Sequence, residues 1–187
     1  KSSSDVFVNY TITESSDHYG FVDFDDSLVL WMRMDEVNGS GDPYDNSSYG
    51  NDGALVGDVV INSSSGRFGD GAWFNTSNYI KIQDDSSLRV AEGNFTVSFW
   101  VNKESGQLSY GDLLGTESLI TSQKGWRIRG TGAFYVNNGS DDLVVGNSFS
   151  DNTWNHYVAV HNFNENISTY LNGNFVANIS LLGFGEF

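Results

Sequence analysis

The chain has no cysteine, a single proline (Pro43) and only nine basic residues against 24 acidic ones. Each shortage excludes something. Without cysteine there is no disulfide, no thiol chemistry and no cysteine-based zinc site. A net charge of −15 repels nucleic acid and anionic membranes, so neither is expected as a partner. There is no run of 18 apolar residues, so no membrane-inserted helix is expected. No signal peptide is visible, and a chain that starts at Lys1 reads as a processed or excised piece. No segment keeps a 3.6-residue apolar period for three turns, and there is neither an internal repeat nor a low-complexity tract. At 187 residues the chain suits one β domain, which buries roughly 70% of its unfolded surface without a staple. Residues 1–19 read as an N-terminal strand and linker arm, and 20–187 as the domain.

What is present is two-residue alternation broken by glycine- and asparagine-rich turns. Asp5 to Thr13 alternates cleanly, and residues 27–35 place Leu28, Leu30, Met32 and Met34 on one face. Further strands are predicted near 54–61, 71–75, 78–83, 95–103, 118–122, 126–129, 132–137, 142–146, 154–162, 166–171 and 174–180. Phe95, Val97, Phe99 and Val101 face one way, with Thr96, Ser98 and Trp100 opposite. Trp154, His156, Val158 and Val160 share a face. Asn172-Gly173 signals a type I′ hairpin. Leu30, Trp100, Val158 and Leu171 are expected to be buried.

Five motifs in order carry a resemblance. Gly93 to Val101 and Asp151 to Val160 resemble the signature strands of the laminin-G-like (LamG, concanavalin A-like) family. Residues 27–36 resemble its opening strand and Asp45 to Gly53 its Asp/Asn/Gly loop, with Ser48-Tyr49 where the family usually has Gly-Asn. Gly69 to Ile82 and Thr169 to Ala177 resemble two of its hairpins. The resemblance covers about Ser27 to Ile179. It implies an all-β, two-sheet antiparallel jelly-roll sandwich that binds glycans or proteins. Family members continue past the last hairpin, so the final strands are expected to be missing here or replaced by another strand.

Candidate chemistry is sparse. Asp23-Phe24-Asp25-Asp26 lacks the Glu-x-Asp-x-Glu pattern of sandwich glucanases, and His18, His156 and His161 are scattered with no nucleophile elbow, so no catalytic residue is assigned. His156 reads as a hydrogen-bonded packing residue. Calcium takes oxygen donors. Asp35, Asp45, Asn51 and Asp52 offer them, and the resemblance implies an ion (Ca²⁺) near this loop. Trp31, Trp73, Trp100 and Trp154 read as packing residues on matched strands. Trp126 lies in the one locally basic spot, so Trp126, Arg127, Arg129 and Tyr135 are the expected ligand-binding set.

Glycosylation sequons begin at Asn9, Asn38, Asn46, Asn62, Asn75, Asn94, Asn138, Asn166 and Asn178. Chance pairing at this composition gives about 3.6. The excess indicates an exported glycoprotein, extracellular or at a cell surface. Two functions compete, with a glycosidase or lyase kept only as a remainder. One is an adhesin-like module recognising a glycan or cell-surface protein. The other is a structural subunit whose copies join to neighbours of their own kind by β-strand addition.

Overall fold

The computed structural model describes residues 25–63, 65–75, 77–90, 93–106, 111–116, 124–146 and 149–184. The expected strands at 5–13 and 118–122, and Asn9, lie outside them. The described residues form twelve strands and one short 3₁₀ turn, Ser86–Leu88. Two four-stranded antiparallel sheets make the sandwich. Sheet I has the order β12 (Asn174–Ser180), β11 (Asn166–Leu171), β10 (Trp154–Asn162), β5 (Phe95–Asn102). Sheet II runs β6 (Asp112–Gly115), β7 (Gly125–Arg129), β8 (Phe134–Asn137), β9 (Asp142–Val145). Two smaller hairpin-like pairs join β1 (Gly53–Val56) to β4 (Tyr79–Ile82) and β2 (Val60–Asn62) to β3 (Gly71–Trp73). The all-β, two-sheet antiparallel architecture is as expected.

The core lies between the sheets. Sheet II contributes Trp126, Ile128, Phe134, Val136 and Val145, and sheet I contributes Tyr157, Ala159 and Ile167. Phe95, Val97, Phe99 and Val101 pack against them from β5. Alternation therefore sorts β5 as the sequence indicates, inward at odd positions and outward at even ones. At the β11–β12 hairpin, Asn172 and Gly173 both take positive φ, 52° and 80°. Only a type I′ turn requires this at both central positions.

Four expectations are corrected. Residues 27–35 form no strand. Side chains take two of their backbone groups: the Trp31 N–H donates to Asp45 and the Val29 carbonyl accepts from Asn51 Nδ2, while the Trp31 carbonyl accepts from the Asn46 N–H. Met34 then leaves extended geometry at φ 67°. The predicted strand at 54–61 splits at Gly57, φ 75°, into β1 and β2. Strand β6 has too few apolar residues for the alternation to show.

The fourth correction concerns burial. Trp100 is 39% exposed, and Leu30, Val158 and Leu171 are half-buried. Trp154, His156, Val158 and Val160 face outward, and the inner face of β10 is Asn155, Tyr157, Ala159 and His161. Hydrophobicity alone selects the other face. The polar pair is admitted because the Asn155 amide and His161 Nδ1 find partners. Asn155 Nδ2 donates to the Ser150 and Thr153 carbonyls and its Oδ1 accepts from Ser150 N–H. His161 Nδ1 lies 2.9 Å from the Gly93 carbonyl oxygen.

Candidate functional site

Alternation separates the expected ligand set. Arg127, Arg129 and Tyr135 lie together on the outer face of sheet II, with both guanidinium carbons near the Tyr135 ring centroid, at 4.9 and 4.4 Å. Asp112 lies 3.8 Å from Arg127 Nε and 3.7 Å from Arg129 Nε, and Asp142 lies 3.7 Å from an Arg127 terminal nitrogen. Arg127 is 8% exposed. The group is a charge-balanced, largely covered cluster. Trp126 points the other way, into the core, where it is 7% exposed and stacks on Phe134 at 5.5 Å. It offers no face to a ligand.

The residues expected to hold calcium are occupied with one another and with the backbone. Asp45 Oδ1 accepts from the Trp31 and Ser47 N–H groups, and Oδ2 accepts from the Ser47 hydroxyl and the Asn51 N–H, all within 2.6–2.9 Å. An ionised carboxylate has about four acceptor sites. Burial raises the Asp45 carboxyl, but these hydrogen bonds together outweigh burial and hold its pKa below the ordinary 3.8. Asp52 Oδ1 accepts from the Asp45 N–H, and Asn51 Nδ2 donates to Val29 and Ser87. Asp35 accepts from Arg33 and the Asp70 N–H. Among the described residues no three acidic or histidine side chains form a metal-holding group. The loop and the Trp31 N–H fill the acceptor sites of Asp45. Asp45, Asn51 and Asp52 fold the 45–52 loop and tie it to residues 29–31. Asp26, in the acidic run considered above, braces the same loop by accepting from the Ser48 hydroxyl.

An exposed aromatic face stands instead on the outer side of sheet I. Trp100 and His156 are direct cross-strand partners. Their rings stack at 4.9 Å and 25°. His156 Nε2 and the Ser98 hydroxyl share a hydrogen bond of 2.9 Å. The neighbouring row holds Ser98, Val158, Tyr170 and Phe175, the last two edge to face at 5.8 Å. A loop between β2 and β3 completes it. Phe68, 43% exposed, meets Trp100 edge-on at 5.7 Å. Arg67 lays its guanidinium 4.7 Å from the Phe68 ring centroid and 5.2 Å from that of Trp100. His156 is the hydrogen-bonded residue expected, yet it belongs to a surface. The outward position of Trp100 in the β5 alternation could have flagged this face. Nothing local announces the approach of Arg67 and Phe68.

Of the sequons, Asn46, Asn62, Asn75, Asn94 and Asn178 are exposed, whereas Asn38, Asn138 and Asn166 are half-buried. Asn138 Nδ2 is committed to the Phe184 carbonyl.

A family model described as the concanavalin A-like lectin/glucanases superfamily (Laminin_G_3) matches residues 74–184. No curated protein matches the chain in sequence. Among solved structures, the binding domain of botulinum neurotoxin DC in complex with rat synaptotagmin II is 19% identical, TM-score 0.63, over 88% of this chain and 43% of that one. The same toxin's binding domain in complex with SialylT is 18% identical, TM-score 0.58, over 83% and 40%. The binding domain of Paraclostridial Mosquitocidal Protein 1 is 17% identical, TM-score 0.59, over 81% and 40%. At such identities the likeness is one of fold, and the chain spans about two fifths of each of those structures.

Proposed function

The chain belongs to the concanavalin A-like lectin/glucanases superfamily, and from that premise we propose that it is a binding module, working outside the cell and recognising a glycan or a cell-surface protein. The observation that carries this reading is the Trp100–His156 face. A tryptophan this exposed, held by a stacked imidazole, an edge-on phenylalanine and a guanidinium, is a preorganised contact surface. Recognition rather than catalysis is supported by the toxin structures compared above, which are binding domains. Export is supported by the sequons, five of them on exposed asparagines. Among the described residues no helix is long and apolar enough to cross a membrane.

On an immobilised glycan and cell-surface panel, the protein is expected to bind selectively, and Trp100→Ala to lose about tenfold or more of that binding. Unchanged binding by Trp100→Ala would remove this face from the function. A second reading, a subunit joined by strand addition, draws on β12, the end strand of sheet I among the described residues, where Phe175 and Val176 are exposed. It requires a ladder of polymers in solution, where a binding module gives a monodisperse species.

A further inference from the structure

The four strands of sheet I contain no aspartate, glutamate, lysine or arginine. In a chain with 24 acidic residues, that leaves one broad surface with no carboxylate on its strands to repel an anion. Arg67 sits at its edge. Among the described residues, Arg33, Arg89, Arg127 and Arg129 each lie within ion-pair distance of a carboxylate. Arg67 pairs with none of those carboxylates and is held by two aromatic rings. The rings supply no oxygen acceptor, so N–H donors of the guanidinium remain for a ligand, and their fork matches a carboxylate bidentately. Beside it, Trp100 supplies a flat apolar surface, and Ser98, Thr96 and Asn102 supply uncharged hydrogen-bonding groups at the other outward positions of β5.

We infer that this face binds a saccharide bearing a carboxylate. The pyranose ring packs on Trp100, its hydroxyls meet the β5 polar groups and its carboxylate takes the Arg67 fork. The inference rests on the binding-face reading above and deepens it. An acidic peptide would use the fork but not the flat ring beside a row of hydroxyls.

The test titrates the whole chain with sialyllactose, with a glucuronate-terminated disaccharide, with lactose and with an oligoglutamate peptide. At least one acidic sugar is expected to bind about tenfold or more tighter than lactose. Arg67→Gln should erase that difference, lowering acidic-sugar affinity about tenfold or more further than it lowers lactose affinity. Arg67→Lys should recover only part, because it restores charge without the fork. Lactose binding as tightly as both acidic sugars in the wild type would overturn the carboxylate assignment and leave the binding-module reading standing. Binding of the peptide alone would overturn the saccharide in favour of a protein ligand. Binding of none of the four would overturn this inference, and the panel experiment then decides the module reading separately.

Discussion

Trp126→Ala is expected to lower the unfolding free energy by about 3–5 kcal/mol, the usual cost of emptying a large buried aromatic site. The ring is 7% exposed, stacks nearly parallel on Phe134 and lies 5.5 Å from Phe95, so its loss opens a cavity between the two sheets. Trp100→Ala removes a tryptophan of equal size. Its cost should be no more than about 1–2 kcal/mol, because much of that ring is in water already and its cation contact is worth about 0.5–1 kcal/mol. Urea denaturation of the two variants side by side measures the contrast. Equal losses would mean that the two tryptophans have been assigned to the wrong surfaces.

Asp45→Ala is the second large effect, about 3–4 kcal/mol. It strands the Trp31, Ser47 and Asn51 N–H groups and the Ser47 hydroxyl, and charge-assisted bonds of this kind are worth more than neutral ones. The depressed carboxyl adds a pH signature. Its stabilising contribution is complete above the unfolded value near 3.8 and is lost as pH falls through the lower folded value. His161 acts earlier. Burial lowers its pKa, the Gly93 carbonyl opposes this less strongly, and the imidazole takes up a proton less readily in the fold. Stability therefore begins to fall below the unfolded value near 6.5, where the unfolded chain binds the proton more readily than the native one. Melting temperatures between about pH 8 and pH 3 should show both steps. The acid step should shrink in Asp45→Ala, leaving the share of Asp84 and Asp85, which are also lowered.

The sequence disclosed the long strands to within a residue, because β5, β10, β11 and β12 alternate over six or more positions and one turn has an unmistakable dipeptide. It did not disclose which face of β10 turns inward. Both faces are mixed, and Asn155 and His161 become tolerable inside only through backbone groups that the fold brings to them. Residues 27–35 alternate as a strand does, yet their hydrogen bonds run to Asp45 and Asn51, a choice made by tertiary contact. The basic spot around Trp126 was legible as a place where arginines meet an aromatic ring. Treating consecutive residues as one site overlooked that adjacent positions point to opposite faces. The aromatic face was hidden for another reason: half of it comes from the loop carrying Arg67 and Phe68, far in sequence from Trp100 and His156.

Chemical-shift mapping tests the central claim most directly. The ¹⁵N-labelled protein would be titrated with the glycan it binds best. The account predicts that the largest changes fall on the Trp100 indole N–H and on the amides of Arg67, Phe68, Ser98, Trp100 and His156, with Arg127, Arg129 and Tyr135 unmoved. Changes confined to Arg127, Arg129 and Tyr135 would place recognition on sheet II and contradict it.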